Sequence, residues 1–199
     1  MYQINQSGRS MVEMLGVLSV AGILTVGGFS VVHNAMQARE EAQLISDTAQ
    51  LGALAKRKAC QYDTQYSSYT KFLYRSDAIP AGLEYNASED QIEGALDSVT
   101  KITGDDKYFV VSVEGLDESS CVKMATTDWG KRNSNGCLGV SIGASNMKEC
   151  MTSGDCNDSP SAASSSNKDK YPMSLEAAAG NSGCSGNNNT VKIWFKGCH

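Results

Sequence analysis

The chain has 199 residues, 41 % of them hydrophobic, and a formal net charge of −5 at pH 7. That length accommodates one globular domain and an anchor, hardly two domains. The acidic balance argues against a phosphate-binding surface over the whole chain, so no specific nucleic-acid partner is expected, and the one basic cluster, Lys56-Arg57-Lys58, reads as a solvated helix end.

The first eight residues, MYQINQSG, carry no basic side chain, and the first charge is Arg9, directly after Gly8. Met14 to Val32, MLGVLSVAGILTVGGFSVV, is an uncharged run of 19 residues. As a helix it spans ~28 Å, close to the ~30 Å hydrocarbon core of a bilayer. An ordinary secretory signal places basic residues before its apolar core and small residues after it. Here the small pair Ser7-Gly8 precedes the run, so a cut there leaves the apolar segment on the mature chain. Glu13 stands one residue before the run. An ionisable group at that depth is costly, about 2.5–3.5 kcal/mol at a helix centre and less near an end. It reads either as an interfacial side chain that snorkels to the headgroups or as a group neutralised by a positive charge on a neighbouring chain.

Taken together, Gly8-Arg9-Ser10-Met11-Val12-Glu13-Met14-Leu15 resembles the class III leader of type IV prepilins and the related secretion pseudopilins. The likeness covers residues 1 to about 33, with a coarser likeness of architecture beyond. It implies a leader over residues 1–8 cut after Gly8 by prepilin peptidase, and Arg9 as the mature, N-methylated terminus. It implies that Glu13 pairs with the terminal amine of an adjacent subunit during polymerisation. The implied partners are related pilin subunits, the peptidase, the inner-membrane assembly machinery and, before assembly, the lipid bilayer. The implied location is an inner-membrane precursor with a periplasmic headgroup, then a surface fibre. Three features depart from the pattern: Arg9 replaces the usual large apolar residue, the leader lacks the usual basic residues so that Arg9 takes over their role, and the proline common near the end of the apolar stretch is absent. Gly22, Gly27 and Gly28 supply a comparable weakness in the helix.

Beyond the run, Val31, Ala35, Ala38, Ala42, Ile45, Ala49 and Gly52 recur at helical spacing, opposite Gln37, Arg39, Glu40, Gln43, Asp47 and Gln50. This predicts that the small residues pack closely, either against a sheet or against neighbouring helices. It favours a single helix from Arg9 to about Lys58, its membrane or filament-core part over about 11–32, rather than two helices. Residues 59–199 then form the headgroup. Ser68 caps a short helix to Tyr74 that ends by Pro80, and Ser88 with Gln91 makes a capping box for a helix over Ile92–Leu96. Ser98–Thr103 and Tyr108–Glu114 read as a hairpin around Gly104–Lys107. Asp117–Thr127 reads as a helix with Cys121 and Met124 or Ala125 inward. Leu138–Ile142 is a weaker strand, 152–170 an exposed loop, and Ser174–Ala179 one or two helical turns. Thr190–Lys196, with Val191, Ile193 and Phe195 alternating, is the clearest strand in the chain. The expected class is α+β, a pilin-like fold with a long N-terminal helix packed on an antiparallel sheet headgroup that carries disulfides.

Seven cysteines without C-x-x-C spacing point to disulfides and an oxidising compartment. The six after residue 120 allow fifteen pairings. Those favoured are Cys121–Cys184, Cys150–Cys156 and Cys137–Cys198, with Cys60 left over. No metal, phosphate or nucleophile motif is present, and Asp155, Asn157 and Asp158 lack the EF-hand ligand series. Two histidines, His33 and His199, give little material for general-base catalysis, so neither an enzyme activity nor a cofactor is expected. The rivals to a filament subunit are a type II secretion pseudopilin and a non-polymerising, single-pass anchored binding domain. Adhesion, conjugation, motility and DNA uptake stay open.

Overall fold

The computed structural model describes residues 11–62, 68–104, 108–130, 137–143, 172–180 and 183–197; in the first helix, side chains are described over 31–58 and at Cys60. The chain divides into two compact units, one up to Glu40 and one from Glu41 onward. Helix α1, Met11–Tyr62, covers the stretch where one helix is expected. In the first unit Val31, Val32 and Met36 are all more than half exposed.

In the second unit the face of α1 laid on the sheet is not the small-residue row. The buried residues are Glu41, Leu44, Thr48, Leu51 and Ala55, together with Gly52, whereas Ala42 and Ala49 are exposed. The stripe 41-44-48-51-55 is a heptad pattern, offset by one residue, about 100° around the helix, from the alanine row. Two of its members are polar, and each has a partner. The Thr48 hydroxyl donates back to the Leu44 carbonyl at 2.7 Å, and the Glu41 carboxylate meets helix α3, described below.

Helix α2, Tyr69–Arg75, is capped as expected, with the Ser68 hydroxyl accepting from the Lys71 amide. It ends before Pro80 has any influence. Asp77 turns left-handed at φ 49°. The Ala78 amide donates to the Leu73 carbonyl and the Asp77 amide to the Tyr74 carbonyl, which is a Schellman closure. The expected helix over Ile92–Leu96 is overturned. Glu84–Asn86 (β1) and Gln91–Glu93 (β2) instead form a hairpin, and Ala95–Asp97 is a single 3₁₀ turn. The Ser88 amide bonds the Asn86 side chain in the hairpin turn, so the sequence that looked like a capping box closes two strands.

Strand β3, Val99–Gly104, pairs with β4, Tyr108–Leu116, as the expected hairpin. Gly115, at φ 83°, takes the left-handed conformation where the β4–β6 register slips between Val113 and Leu116. Asp117 then caps helix α3, Glu118–Thr126, by accepting from the Ser120 amide at 2.7 Å. Strand β5 is Cys137–Ile142, the short helix α4 is Leu175–Ala178 behind Ser174, and β6 is Asn189–Lys196. All three fall where the sequence places them.

The six strands among the described residues form one antiparallel sheet in the order β1-β2-β3-β4-β6-β5. One helix laid on an antiparallel sheet, with a disulfide, is the expected α+β class. The core joins Leu44, Leu51 and Ala55 of α1 to Phe109, Val111 and Val113 of β4 and to Val191, Ile193 and Phe195 of β6. Phe109 and Phe195 stack with ring centroids 5.0 Å apart. Gly52 lets the helix approach: a Cβ there would sit 3.1 Å from the Phe195 ring. Strand β2 pairs with β3 only as far as Thr100. Past that point the buried Thr70 hydroxyl of α2 takes the place of a strand, accepting from the Ile102 amide at 2.8 Å and donating to the Ile102 carbonyl at 3.3 Å. Neither backbone group is left orphaned in the core.

Candidate functional site

Gly8 and Arg9 lie outside the described residues, and Glu13 lies in α1 without a described side chain. Among the described residues no helix is long and apolar enough to cross a membrane. Of the apolar run Met14–Val32, only Val31 and Val32 have described side chains.

The cysteines are sorted in part. Cys121 of α3 is bonded to Cys184, with Cα atoms 5.8 Å apart, so the chain before β6 is tied to α3 as expected. Both half-cystines are buried in the core. Cys60 is disulfide-bonded, which overturns its reading as the odd thiol. Cys137 keeps its thiol, buried in β5 with Sγ 3.9 Å from the Gly139 carbonyl oxygen, so the expected Cys137–Cys198 bridge is not made. Cys137 opens β5 and packs in the same core as the bridged pair. Cys150, Cys156 and Cys198, like Asp155, Asn157 and Asp158, lie outside the described residues.

One contact that no motif announced joins α1 to α3. Glu41 is buried, and its carboxylate accepts from Lys123 Nζ at 2.8 Å, from Ser119 Oγ at 3.2 Å and from Ser120 Oγ at 3.4 Å. Its signal in the sequence was position alone, a charge at the head of a heptad stripe.

Beside α1 lies a groove of about 500 Å³ between its exposed small-residue side and the turn after α3. Gly52, Ala49, Ala53 and Ile45 form one wall, Trp129 and Phe195 the floor, and Lys56, Arg57 and Asp128 part of the rim. Trp129 is fixed by its indole N–H, which donates to the Met124 carbonyl at 3.1 Å. The basic cluster is therefore only partly the solvated end expected of it: Arg57 is exposed, but Lys56 and Lys58 are half-buried. On the same helix the Asp47 carboxyl is pushed above its ordinary range by desolvation, partly offset by a hydrogen bond with Gln43. At the β1 edge, Tyr74 and Tyr85 stack at 4.2 Å. The Tyr85 phenol is pushed up by desolvation and then by its hydrogen bond to Asp90, whose other oxygen accepts from Ser68.

No protein-family model matches the chain, and no curated protein does either. Among the described residues no group of three His, Cys, Asp or Glu side chains could hold a metal ion. What the described surface presents is a helix that carries small residues outward and a groove at its side.

Proposed function

We propose that the chain is a type IV pilin-like filament subunit, cut after Gly8 by prepilin peptidase and polymerised through α1. The observation that carries this reading is the placement of Glu13, five residues after Gly8 and directly before 19 uncharged residues. A carboxylate there is costly unless a positive group meets it. A cut after Gly8 creates one, the α-amine of Arg9, which in a staggered array lies against Glu13 of the next chain. The pair is strong in a low-dielectric setting, with desolvation offsetting much of the gain.

Two features of the headgroup support the reading. The alanine row of α1 faces outward, which suits a helix that packs again on its neighbours. A headgroup tied by disulfides suits exposure outside the cell. Long Ser- and Asn-rich segments favour a surface fibre over a periplasm-confined pseudopilin.

The test is the intact mass of protein purified from its source cells. A chain beginning at Arg9, with or without one added methyl group, is the expected result. A mass that retains residues 1–8, or a cut after the apolar run, removes the proposal and favours an anchored domain or a secreted one.

A further inference from the structure

We infer that the groove beside α1 receives Leu175 of a second copy of this chain, giving a head-to-tail contact between headgroups. The inference rests on the filament reading and names where neighbouring headgroups touch.

The groove offers an apolar floor of Trp129 and Phe195, a wall of Ala49 and Ala53, and a cationic rim at Arg57. A large side chain is missing on the helix side, and the cavity has room for one. The complementary shape stands elsewhere on the same headgroup. Leu175, the first residue of α4, is 66 % exposed, the most exposed large hydrophobic among the described residues of the second unit. It shares a shallow depression with Val122 and Glu118 of α3. Glu118 and its own neighbour Glu176 are exposed carboxylates. An apolar knob flanked by Glu118 and Glu176, with Lys123 beside it already paired to Glu41, therefore matches an apolar slot whose rim sets Lys56 and Arg57 against Asp128, in both hydrophobicity and net charge.

The relative position of the two sets the kind of assembly. The knob's depression includes Ser119 and Lys123, which bond Glu41, whereas the groove is lined from Ile45 to Cys60 on the same helix. From Glu41 to Gly52 in the middle of the groove is ~16 Å along α1. Two different surfaces displaced along one axis make a heterologous contact, which builds an open array where the rotation between neighbours does not close a ring.

The test replaces Leu175 by the photo-crosslinking residue p-benzoylphenylalanine in the full chain, irradiates sheared surface fibres, and maps the crosslinked peptide. The expected partner peptide carries Ala49, Ala53 or Trp129 of another subunit. Arg57→Glu should lower the crosslink yield about fivefold, the weight of one exposed ion pair, and Glu118→Arg in the same chain should restore it. Fibres in which position 175 crosslinks elsewhere, or not at all, overturn this contact and leave the filament reading standing. No fibres from the unaltered chain, with residues 1–8 retained, overturn both.

Discussion

Lys123→Met is the sharpest test of how the headgroup holds α1. The Glu41 side chain is only 6 % exposed, and its best partner is Lys123 Nζ at 2.8 Å; the two serine hydroxyls stand off at 3.2 and 3.4 Å. Removing the ammonium leaves a buried carboxylate with two long hydrogen bonds. Breaking a fully buried pair this way costs about 3–5 kcal/mol. The Lys123 side chain is 47 % exposed, so water reaches the gap and the expected cost falls to about 2 kcal/mol. For a headgroup of this size that lowers Tm by about 4–8 °C. The reverse change, Glu41→Leu, leaves a lysine that turns to water, and should cost less, about 1 kcal/mol. The double variant should then lie closer to wild type than Lys123→Met alone. The measurement is a denaturant double-mutant cycle on the full chain in detergent, followed by circular dichroism. If Glu41→Leu proves the more damaging single change, the asymmetry assigned to the buried carboxylate is wrong.

Thr70→Val keeps shape but strips both partners from Ile102, and should cost about 1–3 kcal/mol with faster hydrogen exchange at the Ile102 amide. Replacing Cys121 and Cys184 together by Ser opens a bridge with a sequence separation of 63; loop entropy puts the loss at about 4 kcal/mol, read by chemical denaturation. Asp47 has a folded pKa raised above its unfolded value, so its contribution is most favourable below the unfolded pKa and is lost as pH rises through the folded one. Asp47→Asn should therefore stabilise the headgroup at neutral pH, with the gain vanishing on acidification in parallel melts. Glu13→Ala should leave membrane insertion intact and cut surface fibre strongly; normal fibre yield would remove the role given to Glu13.

The elements that follow one period were plain in the sequence. Val191, Ile193 and Phe195 alternate and face the core, α3 falls within the expected Asp117–Thr127, and Cys121 and Cys184 meet because each precedes or lies within an element that the core fixes. The packed face of α1 was hidden because small residues line two sides of the helix. Ala42 and Ala49 mimic a buried row, while the true stripe is interrupted by Glu41 and Thr48, whose polarity is answered by α3 and by the helix backbone. Ser88 and Gln91 carried the local signature of a helix start, but the pairing of Tyr85 with Ile92 gives Ile92 a buried strand position. Cys60 was misjudged because distance along the chain says little about distance in a fold that brings β6 against α1.

The place of β6 also governs when the headgroup can exist at all. Strands β4 and β5 meet only through it, and Val113 waits for Val191, a partner emerging 78 residues later. A chain synthesised N-terminus first can zip β1 to β4 early, yet must hold Phe109, Val111 and Val113 without their lid until residues 189–196 arrive. An interrupted chain is thus left with an open, apolar sheet edge that proteases and chaperones recognise, whereas a complete one seals it. The sheet order makes arrival of β6 a checkpoint for completeness, so that only a whole chain closes its sheet.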